Sequence, residues 1–166
     1  YNKMSKVFSS KKSSVVTQSQ FYNFSYKASC RVATREEDGP YTLDSDFANL
    51  STIDGVQIKT GDRILIKDQA THSEHGIYTV NASGKPTRAE DFNSNSEVTP
   101  GTFVTVYEGT TNADTSWILT TDNPITVGSG DDASELIFAP MQATVADNSV
   151  DLTSKVTGTL PVANGG

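Results

Sequence analysis

Short runs in which apolar and polar residues alternate recur between Ser29 and Pro140. In SCRVAT, Cys30 and Val32 share a face; in DRILIKD, Ile64 and Ile66 oppose Arg63, Leu65 and Lys67. GIYTV sets Ile77 and Thr79 against Tyr78 and Val80. TFVTVYE sets Phe103, Thr105 and Tyr107 against Val104 and Val106. YTL, SWILTT and ELIF complete the series. A period of two in runs this short, rich in β-branched and aromatic residues, predicts strands. No window of ten residues keeps a helical period. DSDFANL predicts at most one helical turn, capped by Ser45 or Asp46 ahead of Phe47 and Leu50.

The punctuation between runs sharpens this reading. Asp54-Gly55 separates STI from VQI, and both central positions of a type I′ hairpin turn need positive φ. Gly61-Asp62 opens one strand; Pro100-Gly101 opens another, which Glu108-Gly109-Thr110 closes. These residues set register, and a slip by one would turn the wrong face inward. The expectation is an all-β fold, a small antiparallel barrel or sandwich over residues 28–140, with long loops at 68–76 and 86–101.

Both flanks read differently. Residues 1–27 hold no sustained period and predict an extended arm ordered by docking. Residues 141–166 carry Val145, Val150, Leu152, Val156, Leu160 and Val162 thinly among Gly, Thr, Ser and Asn. One chain cannot bury apolar residues so sparse, whereas copies wound about a common axis can. That predicts the start of a thin trimeric shaft, in a chain that continues at both ends.

Charge divides along the same line. Residues 1–35 contain seven basic residues and no acidic one, while 36–166 contain all 20 acidic residues and six basic ones, for a net charge of -7. A basic arm on an acidic body suits docking to an acidic neighbouring protein, with a solvated linker as the alternative. It lacks the density of a nucleic-acid tail. Cys30 stands alone, so no intrachain disulfide forms, and its strand setting predicts a buried small hydrophobe. No run of 18 apolar residues predicts a membrane span, and the first residues lack a signal peptide's apolar core.

Candidate chemistry is sparse. His72, Glu74 and His75 could converge on a cation but are short of a full ligand set. The loop GSGDDASE is rich in oxygen ligands without the EF-hand spacing. Adjacent carboxylates such as Glu36, Glu37 and Asp38 lack the separation that acid–base catalysis requires. There is no GxSxG and no phosphate loop. No catalytic residue, cofactor or metal is expected, and no enzymatic activity. Trp117 is read as core or, with Tyr78 and Tyr107, as a platform for stacking sugars. Asn23, Asn49 and Asn81 each begin an N-glycosylation acceptor triplet.

Several blocks then agree in order and spacing: IDGVQIKTGDRILIKDQATHSEHGIYTV, TRAEDF, GTFVTVYEGTTNADTSWILTT and ELIFAP. Over roughly Ser29 to Pro140 the chain resembles a module of tailed-bacteriophage tail fibres and of fibre or spike proteins of large DNA viruses. SKVTGTLPVANGG resembles the segment leading into fibre shafts. The resemblance implies a homotrimeric structural protein of the virion. Residues 1–27 would hold it to a capsid or tail protein, and parts beyond residue 166 would meet a host-surface glycan or receptor. The matching positions are Asp54, Gly55, Gly61, Asp62, Arg63, Lys67, Gln69, Gly76, Ile77, Tyr78, Gly109, Thr110, Thr111, Asn112 and Trp117, taken as scaffold. Asp62-Arg63 and Lys67 to Gln69 are expected to brace the loop before Gly76. His75 stands where the family usually has Asn. The rival expectation is a carbohydrate-binding module of a host-recognition protein.

Overall fold

A computed structural model describes residues 25–128 and 130–141. The expected arm, apart from its last three residues, and the expected shaft segment, apart from Met141, lie outside the described residues.

Among the described residues nine strands form: β1 (Val32–Ala33), β2 (Thr52–Ile53), β3 (Val56–Gln57), β4 (Arg63–Ile66), β5 (Gly76–Thr79), β6 (Thr87–Arg88), β7 (Phe103–Val106), β8 (Thr115–Leu119) and β9 (Phe138–Pro140). They build three open sheets, ordered β1-β4-β5-β6, β2-β3 and β7-β8-β9. The expectation of an all-β antiparallel barrel or sandwich is therefore corrected. The domain is mixed, with 3-10 turns at Glu36–Asp38, His72–Glu74 and Glu90–Phe92 between strands, and no sheet closes.

Nor is the pairing purely antiparallel. β1 runs parallel to β4, with Val32 opposite Ile64 and Ala33 opposite Leu65. The same segment bridges β7 in parallel on its other side, at Tyr26 with Phe103 and at Cys30 with Val106. A parallel pair needs a long crossover, and residues 34–62 supply it without a helix. Local alternation reveals strands but carries no information about this direction.

The crossover also explains the burial pattern. It lays Phe47, Ile53 and Ile58 over one face of β4 and β5, against Ile64, Ile66, Tyr78 and Val80. Across the sheet, Leu65 and Ile77 join Phe92, Val104, Val106, Leu119 and Leu136 in a second core. The alternation read from the sequence thus sorts side chains between two cores rather than between core and water. A sheet covered on both faces carries near-continuous apolar runs, as RILI does. Cys30 lies fully buried in the second core, and burial pushes its thiol up to about 12.

The Asp54-Gly55 turn forms as expected, Ile53 pairing with Val56 around φ values of 47° and 76°. DSDFANL gives turns rather than a helix. Phe47 is buried there, whereas Leu50 is exposed at φ 74°. The stretch 86–101 is more structured than a loop, holding β6 and a 3-10 turn that buries Phe92.

Candidate functional site

The densest polar structure surrounds Asp54. The tight turn between β2 and β3 points its carboxylate into the loop after β7, where the side chain is fully buried. Oδ1 accepts hydrogen bonds from the backbone N–H groups of Thr110 (3.1 Å) and Thr111 (2.9 Å), and Oδ2 from that of Asn112 (2.8 Å). The Asp54 carbonyl accepts from Thr110 N–H as well, at 2.9 Å. Three converging N–H groups form a cradle that suits one anion. Arg35 Nε, 3.5 Å from Oδ1, supplies the counter-charge.

The glycines follow from this fit. A Cβ on Gly109, at φ +139°, would sit 2.3 Å from Asp54 Oδ2; one on Gly55 would sit 2.3 Å from Thr110 Oγ1. Two blocks far apart in sequence, DG and GTTN, are halves of one joint.

From that joint a polar chain crosses the domain. Asn112 Nδ2 donates to the carbonyls of Thr34 (3.1 Å) and Ala33 (3.4 Å). Thr34 Oγ1 donates to Asp68 Oδ2 at 2.7 Å and accepts from Lys67 N–H at 2.9 Å. Lys67 Nζ lies 2.8 Å from Asp68 and 4.2 Å from the centre of the Trp117 ring. Asp54, Gly55, Gly109, Asn112, Lys67 and Trp117 therefore belong to one connected structure.

Asp62 and Arg63 are directed elsewhere, correcting the expectation that they brace the loop before Gly76. Arg31 Nη1 donates to Asp62 at 2.6 Å, and Arg31 grips Glu108 through Nε and Nη2, both at 3.1 Å. Arg63 binds Asp91 at 2.8 Å and the carbonyl of Ala28 at 2.9 Å. Gly61 serves the turn before β4, at φ +89°.

The loop before Gly76 is braced instead by Arg88, Tyr78 and His75. Arg88 donates to the carbonyls of His75 (2.9 Å) and Ser73 (2.6 Å), and its burial pulls its pKa down. Tyr78 Oη donates to the Glu74 carbonyl at 2.7 Å. Gln69 takes part as expected: its N–H donates to His75 Nε2 at 2.9 Å, while His75 Nδ1 lies 2.7 Å from the Leu136 carbonyl. That pair of partners fixes a neutral imidazole protonated on Nδ1, and burial lowers the His75 pKa in agreement. Gly76 leaves room for Arg88, whose Nη1 would lie 2.3 Å from a Cβ there.

The sugar platform is not assembled. Tyr78 is 3% exposed, its ring under Arg88. Trp117 faces the core side of its sheet, packed against the second core, and Tyr107 lies exposed on the opposite side. Among the described residues no three His, Cys, Asp or Glu side chains converge to hold a metal ion, the THSEHG loop included. No helix among the described residues is long and apolar enough to cross a membrane.

Sequence reasoning missed Arg31, Arg35 and Glu108. Arg31 and Arg35 were counted with a basic arm, yet both are ion-paired inside the domain, Arg35 with Glu37 and Asp38 as well as Asp54. Lys27 is also drawn in, donating to the Glu97 carbonyl at 2.7 Å, and desolvation lowers its pKa. Their signal was the burial pattern of the strand they flank, since Cys30, Val32 and Ala33 predict an internal segment.

Comparisons with protein families, with curated proteins and with solved structures return no match.

Proposed function

We propose that this chain is a non-enzymatic structural protein of a virion fibre or spike. Of the basic arm read over residues 1–27, the part before Ser25 anchors it to a capsid or tail protein. The domain acts as a collar, and the segment from Met141 onward starts a shaft shared by three copies. Distal parts of the protein engage the host surface.

One observation carries the reading. The residues on which the fibre resemblance rests are spent on internal bracing: the Asp54 carboxylate is enclosed by the N–H groups of Thr110, Thr111 and Asn112. A block pattern built from such joints is the pattern of a scaffold. The thin apolar tail supports assembly by threefold winding.

The test is the native mass of the chain by light scattering during size exclusion. Three times 17.8 kDa is the expected result, and a single-chain mass overturns the threefold reading.

A further inference from the structure

Among the described residues five large apolar side chains stand exposed: Tyr26 (61%), Leu50 (56%), Tyr107 (54%), Met141 (47%) and Ile137 (37%). Four of the five belong to one side of the β7-β8-β9 sheet. The register places them there. Val104, Val106, Leu119 and Phe138 point into the core, so the residues between them point out. Phe103 opposite Ile118, and Ile118 opposite Ala139, form a row across three strands, and Tyr26 extends it with its ring 5.7 Å from that of Phe103. Along β7, β8 and the run from Ile137 through β9 to Met141 the outward residues include no charged side chain, and Asp114 and Glu135 lie at the ends of that face.

We infer that this sheet face is the contact surface between copies of the chain, an inference that rests on the threefold assembly proposed above. Three observations select a second copy as the occupant. First, the undescribed segments at the two ends join the domain at this sheet: Ser25 accepts a hydrogen bond from Phe103 N–H at 2.8 Å, and Met141 N–H donates to Ser116 at 2.8 Å. If residues 142–166 of several copies share an axis, the sheet they leave is held beside that axis, and its outer face meets its own kind. Second, each copy carries a net charge of -7, so identical copies approach most favourably through a charge-free patch. Third, growth by strand addition is obstructed at β9. The Thr120 N–H to Ile137 and Met141 N–H to Ser116 bonds turn the odd-numbered residues of this strand toward β8. Pro140 therefore faces the free edge and offers it no N–H donor, leaving the face as the surface for association.

The experiment replaces Ile137 and Met141 together by Glu, with Leu50→Asp as the control for an exposed apolar residue elsewhere. Folding is monitored by circular dichroism and native mass by light scattering. The expected result is a folded single chain for the double variant and a threefold mass for both the parent and Leu50→Asp. A double variant that keeps the threefold mass overturns this inference and leaves the fibre reading standing. A parent of single-chain mass overturns both.

Should the double variant fail to fold, Met141→Cys decides. Cys30 is buried and stays silent, so cross-linking by a short bismaleimide reports on residue 141 alone. Covalent pairs of chains are expected. A thiol that labels freely without pairing overturns the inference, as does one shielded within a single chain, which would mean that residues 1–24 cover the face.

Discussion

The Asp54 carboxylate accepts a 2.8 Å hydrogen bond from the backbone N–H of Asn112, 58 residues further along the chain. The Asn112 side chain in turn donates to the carbonyls of Ala33 and Thr34. One acid and one amide thereby join the β2-β3 hairpin, the loop after β7 and the parallel strand β1. Asp54 serves this joint through charge-assisted bonds to N–H groups of a loop that has no ladder to satisfy them.

Asp54→Ala leaves the N–H groups of Thr111 and Asn112 without their acceptor, at a cost of roughly 3 kcal/mol. Gly109→Ala forces a side chain into the carboxylate at a backbone angle that favours glycine, at about 2 kcal/mol. Urea unfolding of the two single variants and the double checks this. Because both disturb one joint, the double variant loses distinctly less than the sum. Full additivity would show that the joint does not act as a unit.

His75 makes stability depend on pH. Burial lowers its folded pKa below the ordinary value, so the fold holds the neutral ring while the unfolded chain takes a proton near pH ~6.5. The unfolded state binds more protons between those two values. Stability is therefore complete above about pH 6.5 and falls as the pH drops below it. Asp38, whose pKa is lowered first by its bond to Arg35 and then by Tyr41, contributes in the same direction at more acidic pH. Urea midpoints for the parent and His75→Asn should separate on this slope: shallower for the variant between roughly pH 7 and 5. Equal slopes would refute the assignment.

Cys30 should resist thiol reagents in the folded protein. Its side chain is buried, and desolvation holds the thiol up to about 12, so the reactive thiolate is scarce at neutral pH. Reaction with a chromogenic disulfide is expected only at the rate of unfolding, rising sharply in denaturant. A fast reaction under native conditions would contradict the burial of Cys30 beside Val106 of β7.

Trp117 offers an optical probe of the Lys67 contact, because the chain holds a single tryptophan. Lys67→Met removes a cation 4.2 Å from the ring centre and should cost about 0.5–1 kcal/mol while shifting the emission maximum. Unchanged emission and stability would mean that the ammonium contributes nothing there.

The Asp54-Gly55 hairpin, the Val104 and Val106 face, the burial of Cys30 and the split of RILI into two opposing sets were legible in the sequence. Each depends on φ preferences and on a two-residue period, which are local properties of the chain. The parallel placement of β1, the openness of the sheets and the Arg31 and Arg35 pairs were not. Alternation is the same in a parallel as in an antiparallel strand, and a charged residue reads alike whether its partner is water or Glu108. Only the crossover from Thr34 to Asp62 decided that the central sheet is covered on both faces, and with it which polar groups had to find partners inside.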